Sequence, residues 1–368
     1  MKERGPGSRR ASRRGSSAPE ASLAAFGAKP TRRRGSLVGG RYRIEGRLGQ
    51  GGTSEVYLAV DTATRRSVVV KQLSANGMLD RELRARFVKE LRAMSRIDHQ
   101  NVARVLDFAA SEDERPYLVM EALLGESLGK RLRREPMIEP ELALTLCRQC
   151  AAALQAAHAA GVVHRDVKPD NLFLSTQPGQ TVQVRLLDFG MAKLTHSHGT
   201  SGSHTVLGTV EYMAPEQVMA DPVDAHTDVY GLGIVMFRLF TGHLPFESNE
   251  GLDLLSHQIF SPVPPASWLN ESLDPRLDAI IARATRKHPV NRYPSMGELL
   301  ADLDIVADDS PSAITQAPLQ VEPDVYEPAN PSGREVARLL AQKYQTIAPA
   351  VYGLEEERAL ISLLRSRS

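Results

Sequence analysis

Only two of the 368 residues are cysteine, Cys147 and Cys150. One Cys-x-x-Cys pair, with no further cysteine and no nearby histidine set, cannot close a four-ligand zinc site. The pair falls within residues 141–160, where Leu142, Leu146, Cys150 and Leu154 recur every four residues along one helical face. Both thiols therefore read as small buried packing groups, and cysteine usage this sparse fits a reducing compartment. No run of about 18 apolar residues occurs. The most apolar window, 230–240, is broken by Arg238, so no membrane span is expected. The N-terminus is basic but lacks the apolar core of a secretory signal. These absences point to a soluble, cytoplasmic protein.

What is present is unevenly spread. Residues 1–36 hold ten Lys/Arg against two acids, a net of +8, while the other 35 basic and 42 acidic side chains give −7. The first 40 residues are dominated by Arg, Ser, Gly, Ala and Pro, with little to bury, and are expected to be a disordered basic tail. Three Arg-Arg-x-Ser repeats end at Ser12, Ser16 and Ser36. They suit a solvated tail, or serines that receive phosphate, or a segment that occupies a substrate groove. The absence of interleaved aromatics argues against nucleic-acid binding.

The densest chemistry lies in residues 161–174. Asp166, Lys168 and Asn171 place a carboxylate, an ammonium and an amide within six positions, bracketed by apolar segments. Such a loop suits a reaction that accepts a proton, neutralises phosphate charge and holds a metal ion. Upstream, Tyr42–Leu48 and Glu55–Val60 alternate like two strands around Gly49-Gln50-Gly51-Gly52-Thr53-Ser54. Glycines there let backbone N–H groups approach phosphate oxygens with no Cβ in the way. Residues 67–71 read as a β-branched strand ending at Lys71. Residues 79–97 have helical spacing, with Leu83, Phe87, Leu91 and Met94 on one face and Glu90 beside it. Strands are expected at 102–109 and 117–121, and an Ala/Leu helix at 140–160 closed by Gly161. Short strands at 172–174 and 184–187 lead to Asp188-Phe189-Gly190. Residues 191–207 lack a core pattern, and Ala214-Pro215-Glu216 follows.

In this order the segments resemble the Ser/Thr protein kinases of the bacterial, eukaryotic-like class, over about residues 42–306. The resemblance implies an α+β bilobal fold, with a small β-rich lobe at about 41–122 and a larger helical lobe at about 123–307. It implies ATP and Mg²⁺ as cofactors, with Mn²⁺ able to serve, and protein Ser/Thr hydroxyls as acceptors. Asp166, Lys168 and Asn171 would be catalytic, and Asn171 and Asp188 would hold the metal. Leu48, Gly49, Gly51, Gly52, Val56, Val69, Lys71, Glu90, Met120, Glu121 and Leu123 would surround the nucleotide. Among these, Glu90 would clamp Lys71, Met120 would be the gatekeeper, and backbone groups of Glu121 and Leu123 would meet the adenine. Ser54 replaces the third glycine of the loop, and Val69 stands where alanine is usual, which narrows the pocket. Thr200, Ser201, Ser203 and Thr205 are candidates for activating phosphorylation, with Arg165 as the phosphate's partner. Thr209 would face the substrate, Asp228 would brace the catalytic loop, and Arg292 would pair with Glu216.

Beyond Asp309 a Pro-, Ser- and Ala-rich linker runs to about Ser332. Two short amphipathic helices, 334–345 and 354–365, are expected to dock on the body or on a partner. A homodimer stays open. Many kinases of this class are anchored receptors; with no anchor or sensor read here, the input signal is expected in the cytoplasm. The rival reading is a non-catalytic pseudokinase scaffold that binds protein partners, although every catalytic residue type is present. Small-molecule kinases usually lack the counterparts of Lys168 and of Ala214-Pro215-Glu216.

Overall fold

The computed structural model describes residues 34–50, 54–78, 80–110, 115–175, 182–189, 210–248 and 251–308. The small lobe is a six-stranded antiparallel sheet, in the order β1-β2-β3-β4-β6-β5. Its strands are β1 (Leu37–Val38), β2 (Tyr42–Gln50), β3 (Ser54–Asp61), β4 (Ser67–Leu73), β5 (Val105–Ala109) and β6 (Tyr117–Glu121). Between β4 and β5 the chain forms the short α1 (Ala75–Met78) and the longer α2 (Arg81–Met94). Strand alternation sends Tyr57, Ala59, Val68 and Val70 into a small core with Val38, Tyr42 and Ile44. The same period of two leaves Val56, Val69 and Lys71 together on the opposite face, with Val56 paired to Lys71.

Three boundaries in this lobe differ from expectation. The tail expected through residue 40 ends sooner: Leu37–Val38 pairs with β2, Val38 is 1% exposed, and Ile44 N–H donates to Ser36 O at 2.9 Å. A two-residue strand inside an Arg/Gly/Ser stretch is too short to show alternation. The strand expected from Val102 begins at Val105, because residues 101–103 first pair with the large lobe. Leu186 N–H donates to Asn101 O at 2.8 Å and Ala103 N–H to Leu186 O at 3.1 Å. The helix expected from residue 79 starts at Arg81, where Asp80 caps it by accepting from Leu83 N–H at 3.0 Å.

After residues 122–124 come β7 (Gly125–Ser127), α3 (Leu128–Arg134) and α4 (Pro140–Ala159). Gly125 sits at φ +140°, and a Cβ there would meet Leu174 O at 1.9 Å, so only glycine fits. β7 forms a second small sheet with β8 (Leu172–Ser175) and β9 (Gln183–Leu186). Then follow α5 (Pro215–Val218), α6 (Ala225–Thr241), α7 (Gly251–Phe260), α8 (Pro275–Ala284) and α9 (Met296–Ala307). Helix α6 is buried on almost every side, as its near-continuous apolar sequence requires. One core runs through both lobes, from Phe87, Leu91 and Met94 on α2, past Met120 and Phe189, to Leu154 on α4 and Phe237 on α6. At about 1.5–3 kcal/mol for each large apolar side chain removed from water, this shared core ties α2 to the helical lobe. Cys147 and Cys150 lie in it as free thiols, and burial pushes Cys147 up to about 12.

Candidate active site

Loop 164–171 is fixed by groups that reach it from three elements. From α6, the fully buried Asp228 accepts from His164 N–H and Arg165 N–H, both at 2.7 Å. Gln217 on α5 donates from Nε2 to Arg165 O at 2.8 Å. From beyond β9, Leu187 N–H donates to Asn171 O at 2.9 Å. These bonds hold Arg165 at φ +64°, a conformation non-glycine residues rarely adopt. Asp166 N–H donates to His164 Nδ1 at 3.2 Å, while His164 Nε2 lies 2.8 Å from Leu187 O. That pattern assigns a neutral imidazole with its proton on Nε2. Burial, the largest influence, agrees by holding His164 below its ordinary range.

The loop side chains converge as a result. Lys168 Nζ stands 3.1 Å from Asp166 Oδ2, and Asn171 donates from Nδ2 to Asp166 O at 2.7 Å. With its NH₂ engaged there, Asn171 keeps its amide oxygen for a cation. Asp188, at φ +46°, brings a carboxylate that is 44% exposed. One carboxylate and one amide oxygen, with phosphates and water completing the shell, are the hard donors Mg²⁺ takes. The residues therefore fit the ion.

Lys71 Nζ makes its ion pair with Asp188 Oδ1 at 2.8 Å. The clamp expected from Glu90 is not the pair Lys71 forms here; Glu90 is half-buried on α2. The Lys71 ammonium is the main reason the Asp188 carboxyl titrates below its usual range, against the opposing effect of burial. Across the β-lobe roof, Val69 pairs with Met120, and Leu48, Val56 and Val69 are half-buried. A Cβ built on Gly49 would meet no atom within 4 Å, so open space lies beside that backbone. Glu121 N–H already donates to Arg104 O at 3.1 Å, so it is not free for an adenine. Leu123 is half-buried in the connection between the lobes.

Glu216 and Arg292 are buried together, with Arg292 donating to both carboxylate oxygens at 2.7 and 2.8 Å. The other Arg292 donors reach Arg286 O, His226 O and Lys287 O, so all five are used. Gly51, Gly52, Thr200, Ser201, Ser203, Thr205 and Thr209 lie outside the described residues, as do the linker and both C-terminal helices. Two contributors escaped the reading of the sequence. Gln217 gave no pattern to find. His158, whose Nε2 is 2.7 Å from Asp228 Oδ2, continues the four-residue series Leu146, Cys150, Leu154. A histidine on that buried stripe was the available signal.

A lysine-bearing antiparallel lobe above a helical lobe with an Asp-Lys-Asn loop defines a two-lobed phosphotransferase fold. Residues 42–302 match the model of the protein kinase domain. The chain belongs to the protein kinase family, in its bacterial Ser/Thr branch. It is 41% identical over 266 residues to the serine/threonine-protein kinase Pkn1 of Myxococcus xanthus, covering 71% of this chain and 38% of that protein. A probable serine/threonine-protein kinase PknB of Corynebacterium glutamicum is 33% identical over 302 residues, 79% of this chain and 46% of that one. The chain thus spans less than half the length of these two relatives. The crystal structure of the PknI kinase domain of Mycobacterium tuberculosis superposes with a TM-score of 0.57 at 26% identity. That match covers 74% of this chain and 98% of the other.

Proposed function

We propose that this chain transfers the γ-phosphoryl group of ATP to serine and threonine hydroxyls of proteins. The observation that carries the reading is the ion pair of Lys71, from the small lobe, with Asp188, next to a loop in which Lys168 and Asn171 both reach Asp166 and Asn171 O accepts from Leu187 N–H. The transfer needs positioning and charge neutralisation more than covalent chemistry. Asp166 accepts the proton of the substrate hydroxyl. Lys168, beside it, neutralises charge on the moving group. Asn171 and Asp188 hold Mg²⁺, which when bound screens the phosphate charge. Lys71 and Asp188, paired here, would part so that the ammonium meets phosphate and the carboxylate meets the metal. Leu48, Gly49, Val56, Val69, Met120 and Leu123 surround the base and ribose, and Glu90 reaches Lys71 once that exchange has occurred.

Arg165 supports a regulatory element of the same reading. Its Nε is buried and finds no acceptor among the described residues, which suits a phosphate on Ser203 or Thr205 as partner. The basic tail would supply further acceptors at Ser12 and Ser16, and the linker and C-terminal helices would serve docking. The cytoplasm, where ATP and reduced thiols coexist, is the proposed compartment.

Incubation of the purified protein with labelled ATP, Mg²⁺ and myelin basic protein tests the assignment. Label should enter the substrate with wild type and fall by about 10²–10⁴-fold with Asp166→Ala, the range expected for a lost general base. Equal labelling by both, or none by wild type, would leave the scaffold reading in its place.

A further inference from the structure

Val210 and Glu211 follow directly on Thr209, beside the catalytic loop. A Cβ on Gly231 of α6 would lie 3.0 Å from Val167 Cβ and 3.8 Å from Tyr212 O, so one turn of α6 backs both segments. A side chain holds the 210–211 backbone in place. Gln258 on α7 is fully buried and donates from Nε2 to Val210 O at 3.2 Å and Glu211 O at 2.8 Å. Its Oε1 accepts from Tyr230 OH at 2.5 Å. The Tyr230 oxygen in turn accepts from Lys287 Nζ at 3.0 Å. Lys287, also fully buried, gives its remaining protons to Gln258 O at 2.9 Å and His257 O at 3.3 Å. Its ammonium lies 4.8 Å from the Phe246 ring centroid.

Burying an ammonium is costly unless its protons find acceptors, and here all three do. Apolar side chains could join α6, α7 and the segment after α8 equally well. What they could not do is fix a direction. An ammonium can only donate, so the Tyr230 hydroxyl must accept from it and has its own proton left to give. That proton selects the oxygen of the Gln258 amide, which turns the NH₂ group toward the two carbonyls. With the amide reversed, an oxygen would face two oxygens.

We infer that Lys287, Tyr230 and Gln258 form a directional hydrogen-bond relay that sets the 210–211 backbone as the platform for the polypeptide substrate. Gln258 is thereby a positioning residue for protein binding and not for ATP. The inference rests on the protein-phosphorylating reading above and adds the residues that hold the acceptor side of the site.

The test compares steady-state kinetics with myelin basic protein for wild type, Gln258→Met, Gln258→Glu and Tyr230→Phe. Thr285→Val, which removes a buried hydroxyl that donates to Ile281 O and takes no part in the relay, serves as a stability control. Losing both donated bonds in the Gln258 variants should raise KM for the protein about tenfold. KM for ATP should stay within about twofold, because the relay touches no nucleotide group. Tyr230→Phe keeps the ring, releases the amide's direction and should raise the protein KM about threefold. Thr285→Val should lower Tm without moving either KM. Hydrogen exchange at 210–214 should quicken in the Gln258 and Tyr230 variants but not in the control. Where Gln258 variants fail to fold, Tyr230→Phe decides. Unchanged protein KM and unchanged exchange in an active enzyme overturn the relay alone. A wild type that labels no polypeptide removes the phosphorylation reading, and unchanged exchange at 210–214 would then remove the relay too.

Discussion

At the scale of single residues, charge is placed where geometry holds it. Asp61 shows this away from the cleft. Arg41 grips it with two nitrogens at 2.8 and 2.7 Å, while Thr64 Oγ1 and Ala63 N–H donate at 2.8 and 3.0 Å. The Arg41 bonds are the main cause of an Asp61 carboxyl held far below the usual carboxylate range. A carboxyl depressed in the folded state adds stability that is complete above its unfolded value, about 3.9, and is lost as pH falls through the folded one. Asp61→Asn should therefore melt below wild type at pH 7, and the gap should shrink as pH drops below about 4. Melting curves between pH 7 and 3 check this; a gap that widens on acidification would contradict it. Tyr42 OH adds Asp107 to the same corner of the sheet.

At the scale of elements, α6 organises the site, since Asp228, Tyr230 and Gly231 on one stretch of helix serve three neighbours. An alanine at 231 would place Cβ 3.0 Å from Val167 Cβ and 3.2 Å from Val167 O, tighter than packed atoms normally sit. Val167 separates Asp166 from Lys168, so Gly231→Ala should lower kcat about tenfold by shifting the loop. KM for ATP should hold, and a kcat equal to wild type would show that the helix yields instead. Glu216 and Arg292 join α5 to the segment before α9. Truncating either alone should cost about 3–5 kcal/mol, because it strands a buried charge, whereas the Glu216→Leu/Arg292→Leu pair should cost less than the sum. Equilibrium urea unfolding of the three variants measures the coupling, and additive losses would rule it out. The element pattern was legible where periodicity is long, as in α4 and the four-residue stripe of α2. Asp166, Lys168, Asn171 and Asp188 were singled out by the resemblance to the protein kinases, because their order and spacing along the chain follow that family's pattern. Contacts such as Gln217 on Arg165 O, or Lys71 on Asp188, were not. They depend on which of several polar partners lies nearest after the lobes pack, and no local pattern encodes that.

At the scale of the whole molecule, a tail of net charge +8 adjoins a remainder of −7, and three Arg-Arg-x-Ser sites look alike in sequence. The fold describes one of them. Ser36 belongs to the body: Gly35 N–H donates to Ile44 O at 2.8 Å, Ile44 N–H donates to Ser36 O at 2.9 Å, and the Ser36 hydroxyl is buried. Transfer to Ser36 would require its Oγ to reach Asp166, and hence the pairing that seats β1 against β2 to open. That pairing leads straight into Val38, which packs with Tyr42 and Ile44 in the small-lobe core, so opening it exposes apolar surface as well as breaking backbone bonds. Ser12 and Ser16 carry the same two arginines and lie outside the described residues. Incubation with ATP and Mg²⁺ followed by peptide mass spectrometry should find phosphate on Ser12 and Ser16, at least about tenfold above Ser36, and none of it with Asp166→Ala. The tenfold margin corresponds to an opening cost of only about 1.4 kcal/mol. Mild urea, by loosening β1 before the core, should raise Ser36 occupancy selectively. Equal occupancy of all three serines in the native protein would mean that β1 detaches freely and that local sequence alone selects the site.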